Sequence, residues 1–386
     1  MIEHIVREVA DECDDCLLDF LTEKINPGAS QRDVDGTPIA TELIREAITR
    51  GLFQYALPTD LRGRGFDPLR WGLTVEHLGY RCTDLSFPLL TYLAAATAVH
   101  VFDSGRSELI EEYAEPAARG DLFLGFAYTE EQDPFSAHST ISRRGDFATV
   151  NLSKSIVAGA LLFDAFITYA VDETGALVAF VLDKRDPGVS IEPIDVAGFR
   201  AAGFGRIQAR DMVVPAARII DLDGLAHAQR IINGQVSFFA AGPTGRLRSI
   251  LHDCAQRLSS TERHGTPLGE FLNVQSMLGH MYVDVETCRS ALYRAWLTID
   301  PVGGLWAPLA WVAKFTVGEY GIRLITKAQQ LSGTTGFLRE TAYERHLRDL
   351  SGLLAGGNPQ DKVLIDLGAA HFTPQSPARQ RGRGTQ

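Results

Sequence analysis

Apolar and small residues recur three or four apart along LAWVAKFTVGEYGIRLITKAQ (309–329). Ala313, Val317, Tyr320, Leu324 and Ala328 fall on one helical face, which predicts a helix with a buried side. The chain also reads as helical over 2–21, 41–50, 92–101 and 107–118, with Thr41 as N-cap and Glu42 in the first turn of the second. The pattern changes near Asp121. Short apolar or alternating runs over 122–129, 147–151, 163–171, 177–182 and 205–214 read as strands, separated by turn clusters such as DETG (172–175) and KRDPG (184–188). Helices return over 231–257, 269–297, 309–330 and 339–354. SGTTG (332–336) stops the third of these, and Gly356-Gly357-Asn358-Pro359 ends the last. The chain therefore divides into a helical domain (1–119), a β-domain (120–221) and a second helical domain (222–372). SPARQRGRGTQ closes a tail (373–386) with little apolar content, which predicts disorder.

The 386 residues are 45% hydrophobic and 22% charged, with a net charge of -11. That balance argues against sequence-independent nucleic-acid binding. No apolar run is long enough for a membrane span, and the acidic N-terminus is unlike a signal peptide, so the expectation is a soluble cytoplasmic protein. Cys13-x-x-Cys16 has the spacing of a redox or zinc half-site, but no second pair completes it. Asp11, Glu12, Asp14 and Asp15 around it raise thiol pKa values, so it reads as a helix carrying two thiols, with no metal site.

The stretch QLSGTTGFLRETAYERHLRD (330–349) carries Gln330, Gly333, Gly336, Phe337, Arg339, Glu340, Glu344, Arg345, Arg348 and Asp349 in one register. A glycine-rich turn between core helices accounts for the glycines alone. The combination resembles the C-terminal region of the acyl-CoA dehydrogenase family, Q-x-x-G-G-x-G-[YF]-x-R-E-x-x-x-E-R-x-x-R-D. The resemblance runs from about residue 36 to 370. It implies an α+β fold: an N-terminal helical domain, a middle β-domain of antiparallel sheets and a C-terminal four-helix bundle. It also implies FAD, an acyl thioester on CoA or an acyl carrier protein as substrate, and a homodimer or homotetramer.

Site residues follow from the resemblance position by position. Tyr128 and Thr129 match the family's first flavin strand, with Ser136 as counterpart of its phosphate-contacting serine. Glu130, Glu131 and Asp133 form either a solvated turn or an altered polar pocket. Lys154 and Asp164 match the second flavin strand, where Ile156, Val157 and Ala158 take the positions that face the ring. Arg263 matches a pyrophosphate-binding arginine supplied across a dimer. Gln330, Gly333, Thr334 and Gly336 fit the adenosine side, and Asn358 and Gln360 follow the catalytic loop.

The family's catalytic glutamate lies either after the R-D helix, where this chain has Gly356, or on an upstream helix, where it has Gln235. Neither side chain accepts a proton. Asp361 is the nearest carboxylate in sequence, with Glu130 or Asp133 as alternatives near the flavin strand. The resulting expectation is a flavin-dependent oxidoreductase with an altered base, plausibly in specialised metabolism, whose electron acceptor the sequence does not identify. A flavin-dependent monooxygenase on the same fold, or a non-redox enzyme or binding protein that has lost flavin, stand as the other readings.

Overall fold

In the computed structural model, residues 2–131, 138–299 and 308–372 are described. Ser136, Asp133 and the C-terminal tail lie outside them. The N-terminal region comprises α1 (Ile2–Phe20), α2 (Ala29–Asp35), α3 (Thr41–Thr49), α4 (Pro68–Arg81), α5 (Ser86–Phe102), α6 (Ser107–Leu109) and α7 (Glu115–Arg119). Cys13 and Cys16 both lie within α1, where burial pushes the Cys13 thiol up to about 12. Among the described residues no group of three or more His, Cys, Asp or Glu is placed to hold a metal ion. Thr41 is not the cap of α3. Ala40, in an extended conformation, holds that position without a side-chain hydrogen bond, and Thr41 is the first helical residue.

The middle region holds β1 (Leu124–Ala127), β2 (Thr140–Arg144), β3 (Phe147–Val157), β4 (Ala165–Val171), β5 (Leu177–Asp183), β6 (Val189–Pro193), β7 (Gly205–Pro215) and β8 (Ile219–Ile220). They form one sheet in the order β6-β7-β3-β2-β4-β5-β8, with β1 also paired to β4. The expectation of antiparallel sheets holds for most pairs, but β1 and β2 each run parallel to β4. β4 and β5 are buried almost end to end, which explains their continuous apolar sequences. β2 and β6 have largely exposed, polar sequences and give no such signal.

Helices then resume with α8 (Gly224–Ser260), α9 (Leu272–Thr298), α10 (Pro308–Ser332), α11 (Tyr343–Ala355) and α12 (Gln360–Ala369). A short hairpin, β9 (Glu262–Arg263) and β10 (Thr266–Pro267), joins α8 to α9. α4 crosses α8 closely: a Cβ on Gly79 would run into the main chain of Gly242, and one on Gly245 into that of Glu76. The helix expected over 339–354 begins only at Tyr343. Arg339–Thr341 forms a separate 3-10 turn, and Ala342 takes a left-handed conformation (φ 58°) that no helix tolerates.

The E-R-H-L-R-D run of α11 joins the three regions. Arg348 pairs with Asp33 of α2 (2.7 Å) and donates to the Ala197 carbonyl (2.6 Å). Arg345 donates to the Thr83 carbonyl (2.9 Å). Asp349 accepts the Phe199 N–H (2.6 Å), and burial pushes its carboxyl up to about 7.

Candidate functional site

β1 runs into Tyr128, Thr129 and Glu130. Phe126 and Tyr128, two residues apart on a strand, present parallel rings to one side, 6.0 Å between centroids. Thr129 closes onto the end of β3, its carbonyl accepting the Ser155 N–H at 2.9 Å. Beyond Ser155 the strand alternates: Val157 is buried, whereas Ile156 is 56% exposed beside the Thr129 segment.

Beneath this edge lies a buried ion pair. Lys154 Nζ donates to Glu130 Oε1 at 2.5 Å and to the Tyr169 carbonyl at 2.8 Å. Glu130 also accepts the backbone N–H groups of His138 (2.5 Å) and Ser139 (3.1 Å) and the Ser139 hydroxyl (2.8 Å). Burial pushes the Glu130 carboxyl up, but Lys154 and these donors outweigh it and hold it below the usual carboxylate range. Burial pulls the Lys154 ammonium down, with Glu130 opposing. Glu130 is therefore a charged pin joining β1 to β3, with its lone pairs occupied, and not a free base.

The two positions aligned with the family's glutamate sites lie on packed elements, Gly356 at the end of α11 and Gln235 on α8. Gly356 caps α11 through its N–H to the Gly352 carbonyl (2.7 Å), and a Cβ there would stand 3.0 Å from the Phe239 ring of α8. Gly357, in the left-handed region (φ 78°), faces Val236 of α8 and Trp311 of α10: a Cβ would lie 3.7 and 3.9 Å from them. Gln235 lies one turn before Phe239 and is 7% exposed, and its Nε2 has no hydrogen-bond partner among the described residues. Trp311 Nε1 donates to Asn233 Oδ1 at 2.9 Å, bracing α10 against α8 beside this point.

The loop is held from behind by a group that the sequence reading passed over. Lys314 is fully buried on α10 and donates to the Asn358 carbonyl at 2.6 Å. It makes no ion pair among the described residues, and burial pushes its pKa down to about 8. A lysine among Ala310, Ala313 and Val317, on the buried face of a helix, was the available signal. One turn further, Gly318 leaves space for the Gln360 amide, whose Nε2 is likewise buried and unpartnered among the described residues. Asp361, in the first turn of α12, is exposed.

Other expected residues lie elsewhere. Gln330, Gly333 and Thr334 are exposed at the C-terminal end of α10, and Gly333 has φ 58° with open space around it. Gly336 is buried because a Cβ would strike the Gln329 carbonyl. Ser332 lies fourteen residues beyond Gly318 on α10, about 21 Å at 1.5 Å per residue. Arg263 stands exposed on the β9–β10 hairpin, with no ion pair or side-chain hydrogen bond among the described residues. One chain thus brings the 356–360 loop, α8 and α10 together, and leaves the Gly333 turn at the far end of the same helix.

Models of the acyl-CoA dehydrogenase N-terminal and C-terminal domains match residues 8–121 and 223–359. The chain is 27% identical to the glutaryl-CoA dehydrogenase of Desulfococcus multivorans, over 86% of this chain and 88% of the relative. It is 25% identical to the L-prolyl-[peptidyl-carrier protein] dehydrogenase of a Serratia species, over 85% and 88%. Its fold is similar to that of a Mycobacterium smegmatis glutaryl-CoA dehydrogenase solved in complex with FADH2, with a TM-score of 0.86 at 19% identity, covering 97% of this chain and 96% of that one.

Proposed function

The chain belongs to the acyl-CoA dehydrogenase family, and we propose that it is an FAD-linked oxidoreductase acting on an acyl thioester carried by CoA or a carrier protein. The observation that carries this reading is the match of both helical domains to the family, around a β-domain whose exposed edge fits a flavin. Ile156 offers an apolar face beside Tyr128 and Thr129; among the described residues the Gln360 amide nitrogen is buried without a partner, and Arg263 has no ion pair, leaving a guanidinium suited to a pyrophosphate.

FAD bound there supplies a two-electron acceptor for a hydride. Tyr128, Thr129, Ile156, Val157 and Ala158 would hold its ring edge. Arg263, on the β9–β10 hairpin, and Gln330, Gly333, Thr334 and Gly336, at the end of α10 about 21 Å from Gly318, would serve the nucleotide end from a second copy of the chain. Exposed apolar residues on the bundle, among them Leu272 (81%) and Phe337 (90%), support assembly into a homo-oligomer.

The α-carbon of the thioester would lie between α8, which carries Gln235, and the 356–357 loop, which packs on Val236 and Phe239. Neither can take the α-proton, so this chain's handling of that proton differs from a glutamate-bearing enzyme. Loss of general-base help slows such a step on the order of 10²–10⁴-fold. Asp361, the substitute nearest in sequence, is on the solvent side. A carrier-bound substrate, and with it a role in specialised metabolism, is supported by the prolyl-carrier dehydrogenase among the relatives. The test is to load the purified protein with FAD, remove free cofactor by gel filtration and record the visible spectrum. A retained flavin band is expected, and its absence would overturn the redox reading.

A further inference from the structure

Gln235 is a buried amide whose donor end is unsatisfied among the described residues, at the place where the reading above puts the reacting carbon. A buried donor left without a partner is costly, and the cost disappears if a ligand supplies an acceptor. Phe239, one turn on, packs against the position of Gly356, so Gln235 sits at the edge of the same face of α8. Aromatic rings pack around Phe239. Phe239 lies 6.4 Å from Tyr92 of α5 and 5.9 Å from Phe199, centroid to centroid. Trp311 stands on the other side of Gly357. An alkyl chain in contact with Gln235 would offer its amide no acceptor.

We propose that Gln235 is a specificity-determining residue that hydrogen-bonds an acceptor on the acyl group, so that the substrate is a short, polar acyl thioester. The acceptor is an oxygen or an unprotonated nitrogen on the α- or β-carbon. This inference rests on the acyl-thioester reading. A purely structural role for Gln235 would be indifferent to what the acyl group carries.

The experiment is calorimetric titration of the FAD-loaded protein with two matched ligands, 3-hydroxybutyryl-pantetheine and butyryl-pantetheine, which differ by one hydroxyl. The wild-type protein is expected to bind the hydroxyacyl ligand about tenfold or more tightly. Gln235→Leu is expected to bring that ratio to about one while still binding the butyryl ligand. Gln235→Asn keeps an amide in a smaller side chain and guards against a folding defect in the leucine variant, with a ratio expected between the two. Equal binding of both ligands by the wild type, or an unchanged ratio in Gln235→Leu, overturns the inference but leaves the thioester reading standing. Binding of neither ligand by a protein that retains flavin overturns both.

Discussion

Lys314 Nζ lies 2.6 Å from the carbonyl oxygen of Asn358, and that bond ties α10 to the loop between α11 and α12. The ammonium has no solvent exposure and no ion-pair partner among the described residues. Its pKa, pushed down to about 8 by burial, is well below that of a lysine in the unfolded chain. The unfolded chain therefore binds the extra proton between about pH 8 and pH 10, and stability attributable to this group rises with pH across that window and is lost as pH falls through about 8. Lys314→Met removes this dependence. The difference in thermal midpoint between wild type and variant should shift in favour of the wild type from pH 7.5 to pH 10. A constant difference would show that Lys314 does not titrate in that range.

Glu130 and Lys154 form the other buried contact that positions the site. Replacing the acid alone leaves an uncompensated ammonium beneath the sheet, so Glu130→Gln should cost about 3–5 kcal/mol. The double variant Glu130→Gln, Lys154→Met removes both charges and should recover much of the loss. Chemical denaturation of the three proteins measures it. Equal stability of the single and double variants would contradict the account of the pair.

Asp349 holds its carboxyl near pH 7 because it is buried. A raised acid contributes stability that is fully present below its unfolded pKa and is lost as pH rises through the folded value. Relative to Asp349→Asn, whose side-chain oxygen still accepts the Phe199 N–H, the wild type should be more favoured at pH 5 than at pH 8. Thermal midpoints at the two values decide the matter.

These groups mark where the sequence was legible and where it was not. The long helices of the bundle showed in the spacing of Ala313, Val317 and Leu324, and the buried strands β4 and β5 showed in their unbroken apolar runs. β6 was hidden because VSIEP, though it alternates, is only five residues long, mostly exposed and closed by a proline, too short a run to stand out beside the KRDPG turn. The start of α11 was hidden because nothing in RETAY announces the left-handed Ala342. Gly356 and Gln235 were placed by resemblance; Gly356 lies against Phe239 of α8, one helical turn from Gln235. The E-R-H-L-R-D motif was equally visible, yet its inter-domain contacts with Asp33, Thr83 and Phe199 are separated from it by 150 residues or more and leave no local trace.

Two routes to a restored carboxylate differ in cost. Gln235→Glu is close to isosteric, and burial would raise the new acid's pKa toward that of a useful base. It should speed oxidation of a saturated acyl thioester by on the order of 10²-fold or more. Gly356→Glu must fit a Cβ 2.7 Å from the Gly352 carbonyl and 3.0 Å from Phe239, so it should lower the thermal midpoint. Steady-state rates and melting curves of the two variants separate chemistry from packing.

The central claim is best tested by anaerobic titration of the FAD-loaded protein with acyl-CoA and acyl-pantetheine thioesters, following the visible flavin band. The account predicts that a thioester perturbs the band and bleaches it slowly in the wild type, and faster in Gln235→Glu. A flavin spectrum that stays unchanged in both proteins, with every thioester offered, would contradict it.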